Sequence, residues 1–261
     1  MPRANRYFLP GYIWHITHRC HKKEFLLKFS RDRQRWISWL FEAKKRYGLC
    51  VLNYVVTSNH IHLLVKDTGD DVISRSMQLV AGRTAQEFNQ RKQRKGAFWE
   101  DRYHASAVAT DTHFLKCLVY IDMNMVRAGV VTHPSSWPHG GYQEIHQPRH
   151  RYRIIDLQNL LEITGCNDIQ TLQQQHGQWL RDELEINNST RDMAWTESLA
   201  VGNQSFVDEV KSLLGTKAGN RKVVISGDKH ILRESRARYN VHLDTEKSSL
   251  RADNRFLWDD F

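Results

Sequence analysis

Two histidines one residue apart, His60 and His62, and a tyrosine one helical turn ahead of an asparagine, Tyr120 and Asn124, are the residues whose types and spacing could do chemistry. His60-Ile61-His62 lies in the β-rich run His60 to Lys66. Alternation along a strand puts both imidazoles on one face, close enough to share one ion, with Ile61, Leu63 and Val65 on the other. With 14 histidines in the chain such spacing also arises by chance, so His-x-His alone reads as two surface residues. The run Thr112 to Gly129 reads as a helix whose apolar face is Phe114, Leu115, Leu118, Ile121, Met125 and Val126. Lys116, Tyr120, Asn124 and Arg127 recur along its polar stripe. That stripe could supply a nucleophile, a ligand and phosphate clamps together, although a half-buried tyrosine anchoring an amphipathic helix is commoner. Other clusters carry less. His15, His18, Cys20 and His21 read as structural or surface residues, and Asp67, Asp70 and Asp71 as ordinary capping. His133, His139, His146 and His150 show no ligand spacing.

The elements that must hold these residues follow from the hydrophobic pattern. Gly11 to His18 alternates as a strand, and Arg31 to Tyr47 has helical spacing between a Ser30 cap and a Gly48 stop. Leu49–Val56 and His60–Lys66 form a hairpin around Thr57-Ser58-Asn59. A second helix runs from Asp70 or Asp71 toward Gln93, a strand from Tyr103 to Ala109, and the tyrosine helix follows, capped by Thr110 or Asp111. The order β-α-β-β-α-β plus a helix predicts an α+β fold, a ferredoxin-like antiparallel sheet with an added tyrosine-bearing helix. Two helices are expected on one sheet face, leaving the histidine face open. Residues 1–132 are read as the catalytic domain and 133–153 as a linker or wrapping segment. Residues 154–261 are read as a small, mainly helical segment with a basic tail, Arg221 to Arg238, that could grip duplex DNA or simply be mobile.

A formal charge of +9 over 261 residues favours a polyanionic partner, nucleic acid or an anionic membrane surface. No apolar run approaches the ~20 residues of a spanning helix, and no signal-peptide core follows Met1, so a membrane partner is not expected. Four cysteines without a Cys-x-x-Cys pair fit a reducing cytoplasm.

Together, His60-Ile-His62 and Tyr120-Ile-Asp-Met-Asn124-Met-Val-Arg-Ala-Gly129 resemble the HUH single-tyrosine, IS200-like transposases, in particular the branch associated with repetitive extragenic palindromes (REP). His15-Ile-Thr, Asn59 and Phe98-Trp99-x-x-Arg102-Tyr103 are further echoes, and the resemblance spans roughly residues 5 to 145. Where the branch carries proline after the asparagine, this chain has Met125, which a helix tolerates at least as well. The resemblance implies cleavage and rejoining of single-stranded, hairpin-containing DNA with Tyr120 as nucleophile, through a 5′-phosphotyrosine and a free 3′-hydroxyl. It implies Mg2+ or Mn2+ on His60, His62 and Asn124, a palindromic repeat as partner, no small-molecule substrate, and a monomer rather than a homodimer. Arg3, Arg6, Arg91, Lys92, Arg94, Lys95 and Arg102, interleaved with aromatics, are the expected DNA contacts, with Lys116 and Arg127 as clamps on the helix. An HUH nickase for replication and a catalytically silent DNA-binding regulator are the alternatives.

Overall fold

The computed structural model describes residues 8–186 and 192–234. Its first part follows the expected order: β1 (Ile13–Arg19), α1 (Ser30–Tyr47), β2 (Cys50–Val56), β3 (His60–Lys66), α2 (Val72–Arg91), β4 (His104–Val108) and α3 (Thr112–Asp122). The strands lie in the order β2-β3-β1-β4, all neighbours antiparallel, which is the ferredoxin-like arrangement. Local chemistry sets the ends. Gly48 stops α1 in the left-handed conformation, φ 71°, its N–H bonding the Lys44 carbonyl at 2.9 Å. Asp111 caps α3 by accepting from the His113 N–H at 2.9 Å. Ser30 is the first helical residue rather than a cap; Phe29 holds that position without a side-chain bond. Trp36 and Leu40 of α1 and Ile73, Met77 and Val80 of α2 are buried in one core with Ile61, Leu63 and Val65 of β3. This is the covered face the alternation required.

The other face is not open. Beyond α3 the chain makes α4 (Asn124–Arg127), α5 (Tyr142–His146), α6 (Leu157–Thr164), α7 (Ile169–Ile186) and α8 (Ala194–Glu197). Then come β5 (Ala200–Gly202), α9 (Gln204–Leu214), β6 (Arg221–Ser226) and β7 (Lys229–Glu234). Both α3 and α8 pack on the histidine face, so His15 is 0% and His62 1% exposed. Besides the helices expected there, the last segment brings three strands that extend the sheet to β2-β3-β1-β4-β5-β7-β6, with β5 parallel to β4. A three-residue strand, Ala-Val-Gly, is too short for periodicity to register. In β6, Val223, Val224 and Ile225 supply β-branched residues between the charges that suggested a tail. Residues 235–238 of that basic run lie outside the described residues, as do Arg3 and Arg6. No helix among the described residues is long and apolar enough to cross a membrane.

Residues 133–153 wrap the outer edge of β2: the Val56 N–H bonds the His139 carbonyl and the Gly141 N–H the Tyr54 carbonyl, both at 2.8 Å. Gly141 is confined there. A Cβ on it would lie 2.8 Å from Ile155 Cδ1 and 3.3 Å from the Tyr54 amide nitrogen, and would collide with the Asn53 side chain. Gly141→Ala is therefore expected to lower unfolding free energy by about 1–3 kcal/mol through overpacking. Chemical denaturation measures it, and an unchanged midpoint would show that this edge yields freely.

Candidate active site

Strand register assembles the site. Thr17 of β1 pairs with both His62 of β3 and His104 of β4, and His15 pairs with Ser106, so His15, Thr17, His60, His62, His104 and Ser106 share one face. Across it lies α3, presenting Tyr120. That helix is anchored from behind by a buried polar chain. Asn53 donates to Asp122 at 3.1 Å, the other Asp122 oxygen accepts from His176 Nε2 at 2.9 Å, and His176 Nδ1 meets His146 Nε2 at 3.1 Å. Burial, with the neighbouring His176 adding to it, pushes His146 down to about 4.

The hydrogen bonds assign the imidazole tautomers. A carbonyl only accepts, so His15 Nδ1 carries the proton it donates to the Trp195 carbonyl at 2.9 Å. Complete burial holds His15 neutral, its pKa pushed down to about 3 despite that hydrogen bond, which raises it. Its Nε2 is then an acceptor, and His62 Nδ1, 2.9 Å away, must be the donor. That leaves the lone pair of His62 on Nε2, where the Asn124 amide nitrogen lies at 2.9 Å. For His60 the logic is the same. Asn59 donates its amide to the Lys23 carbonyl at 3.1 Å, which turns its Oδ1 toward His60 Nδ1 at 2.7 Å. Thr57 Oγ1 is also 3.0 Å from that nitrogen. Both strand histidines thus carry their protons on Nδ1 and their lone pairs on Nε2, the arrangement of imidazoles oriented as metal ligands by outer hydrogen bonds.

Tyr120 completes the cluster. Its ring centroid lies 5.7 Å from that of His62 and 6.0 Å from that of His15, both edge-on. The Arg127 guanidinium carbon stands 4.2 Å from the centre of the tyrosine ring, and the same guanidinium donates to the Tyr120 carbonyl. This is possible because the helix does not run unbroken to Gly129 as expected: α3 ends at Asp122 and α4 starts at Asn124, with Met123 between. The ring of Trp195, 6.2 Å away, covers Tyr120, which is only 6% exposed. Burial lowers Arg127 below the ordinary arginine value.

A cavity of about 350 Å³ opens beside the histidines, lined by Thr17, His60, His62, Arg102, His104 and Thr196 among others. Of the residues singled out from sequence, His60, His62, Tyr120, Asn124 and Arg127 come together, and Arg102 lines the cavity. Lys116 is paired with Asp228 at the β6–β7 turn. Arg91, Lys92, Arg94 and Lys95 lie at and beyond the end of α2, with Arg91 paired to Asp32 and Arg94 to Glu24. Sequence reasoning missed the roles of His15, His104, Trp195 and Thr196. His15 had a signal, its place on the same strand face as Thr17, but only the pairing of β1 with β3 brings it to His62.

The donor set fits a divalent ion of intermediate character: two imidazole Nε2 lone pairs and an amide that can turn its oxygen toward them. The described residues hold no cluster of three or more His, Cys, Asp or Glu able to bind a metal, so the amide would have to serve as third protein ligand.

The split βαβ sheet thus sets a histidine pair beside a helix-borne tyrosine. Residues 10–124 match the model of the family "Transposase IS200 like". Its members are DNA-cleaving, strand-transferring enzymes. No curated protein matches the chain. Among solved structures it is similar to a REP-associated tyrosine transposase bound to a REP hairpin, at 20% identity and a TM-score of 0.48, over 60% of this chain and 94% of that one. It is also similar to a Deinococcus radiodurans protein crystallised as a candidate transposase, at 17% identity and a TM-score of 0.33, over 43% and 91% of the respective chains.

Proposed function

We propose that the chain cleaves and rejoins single-stranded DNA beside a palindromic hairpin, with Tyr120 as nucleophile and Mg2+ or Mn2+ held by His60, His62 and Asn124. The observation that carries this reading is the convergence of two outward Nε2 lone pairs with the tyrosine of the same chain. Because Tyr120 stands beside its own chain's histidines, a monomer has a complete site. Attack by the Tyr120 oxygen on phosphorus forms the phosphotyrosine, breaks the bond to the 3′ oxygen, and returns a proton to that oxygen as a 3′-hydroxyl. Reversal by another 3′-hydroxyl rejoins DNA without an external energy source. A bound divalent ion would supply polarisation of the phosphate. From the chain, Arg127 sets a positive charge against the tyrosine ring, and Arg102 offers the cavity a phosphate contact.

Trp195 lying over Tyr120 favours a second reading, a DNA-binding regulator without chemistry. Incubating the protein with labelled hairpin DNA carrying a single-stranded flank, in Mg2+ or Mn2+, separates the two on a denaturing gel. The expected outcome is a covalent adduct that disappears in His60→Ala. Binding without adduct in either metal would leave the regulator.

The hydrogen-bond chain through His15 predicts a separable effect on metal affinity. Substituting His15→Phe removes the acceptor for His62 Nδ1 while keeping a ring in the buried site. Mn2+ affinity measured by calorimetry is expected to fall about 10–100-fold, and His15→Gln, which can both donate and accept, should recover part of it. Unchanged affinity would mean that the Nδ1 partner does not orient His62.

A further inference from the structure

The loop between β1 and α1 exposes two large rings, Phe25 at 65% and Phe29 at 57%. They share a loop rich in lysines, and two of these cations stand against the Phe29 ring. The Lys28 ammonium lies 6.0 Å and that of Lys92 5.5 Å from the centre of the Phe29 ring, and Lys22 and Lys23 are exposed on the same loop. Glu24, the acidic group among them, is paired with Arg94 at 3.5 Å. The loop is also held rigidly. Leu27 is its buried plug, and Arg33 donates to the Leu27 and Lys28 carbonyls at 2.9 and 2.7 Å. Lys22 and Lys23 sit at φ 50° and 61°, a conformation unfavourable for lysine that is kept where surrounding structure imposes it. Finally, the loop is tied to the turn that carries His60. The Cys20 N–H bonds the Asn59 carbonyl at 2.8 Å, the Leu27 N–H the Ser58 carbonyl at 2.9 Å, and the Asn59 amide the Lys23 carbonyl.

We infer that this loop is a stacking platform for unpaired bases of the DNA strand flanking the cleaved phosphate. Phe25 and Phe29 offer the ring faces, and Lys22, Lys23, Lys28 and Lys92 the phosphate contacts. The inference rests on the DNA-processing reading above and adds where the flank lies. Unpaired bases present π-faces that stack on exposed rings, while lysines track the backbone. A paired duplex hides those faces and could use the lysines only. The held loop lowers the ordering cost of binding, as a preorganised surface does.

Fluorescence anisotropy with the full chain tests it, using a hairpin with a labelled single-stranded flank and the same hairpin with a blunt end. For Phe25→Ala/Phe29→Ala we expect affinity for the flanked hairpin to fall about 10-fold or more. Affinity for the blunt hairpin should stay within about twofold, since the phosphate contacts remain. A 2-aminopurine in the flank should be quenched by the parent protein and not by the double variant, and Phe29→Trp should keep the quenching. Both rings are exposed, so circular dichroism should be unchanged. Flanked binding equal to the parent's, or an equal loss for both DNAs, overturns the platform. If the parent protein binds neither DNA, the DNA-processing reading itself fails, and the platform with it.

Discussion

Tyr120→Phe is expected to abolish the covalent DNA adduct and to lower strand cleavage by at least about 10⁴-fold, the scale on which removing a nucleophile acts. One oxygen is lost from a ring that otherwise keeps its packing between His62, Arg127 and Trp195. Stability should therefore change by no more than about 1 kcal/mol, the net worth of a single hydrogen bond. Binding of hairpin DNA should persist, because the arginines and lysines that would meet phosphate are untouched. Quantifying cleavage and adduct on denaturing gels, beside anisotropy for binding, gives the three readouts together. Residual cleavage within tenfold of the parent's would exclude Tyr120 as the attacking group and turn attention to water activated at the histidines. His60→Ala shares the loss of cleavage with Tyr120→Phe but not its metal dependence, since only the histidine change should also weaken Mn2+ binding.

Trp195→Ala carries the largest expected cost in stability, about 3–5 kcal/mol for emptying a buried tryptophan site. The ring is 1% exposed and lies 6.2 Å from that of Tyr120, with the Lys229 ammonium 4.9 Å from its centre and that lysine paired to Asp192. Its loss would loosen α8 from β4 and free the cover over Tyr120. The backbone carbonyl that accepts from His15 is retained by alanine, so Mn2+ affinity should fall less than in His15→Phe. Chemical denaturation and calorimetry on both variants distinguish the roles: tryptophan as packing, histidine as orientation. A denaturation cost below about 1 kcal/mol would mean that the site collapses around the missing ring.

Much of this was legible locally. The alternation of Ile61, Leu63 and Val65 against His60 and His62 gave the strand and the shared face of the imidazoles, because period two is a property of the backbone alone. Gly48 and Asp111 marked helix ends through conformations and bonds made within a few residues. Spacing on the tyrosine helix put Tyr120, Asn124 and Arg127 on one stripe, although the break at Met123 does not show in a pattern that both sides of it satisfy.

By itself, then, the sequence determined the order of elements, the ferredoxin-like core and the shared faces of His60 with His62 and of Tyr120 with Asn124, since each depends on short-range spacing. Tertiary structure alone decided that the histidine face is covered, that Trp195 shields Tyr120, and that the sheet continues through β5, β7 and β6. It also decided which nitrogen of His62 carries the proton and which the lone pair. That follows from a hydrogen bond between His15 and a carbonyl 180 residues away. A contact across that separation leaves no local periodicity, and only the closed fold can bring its partners together.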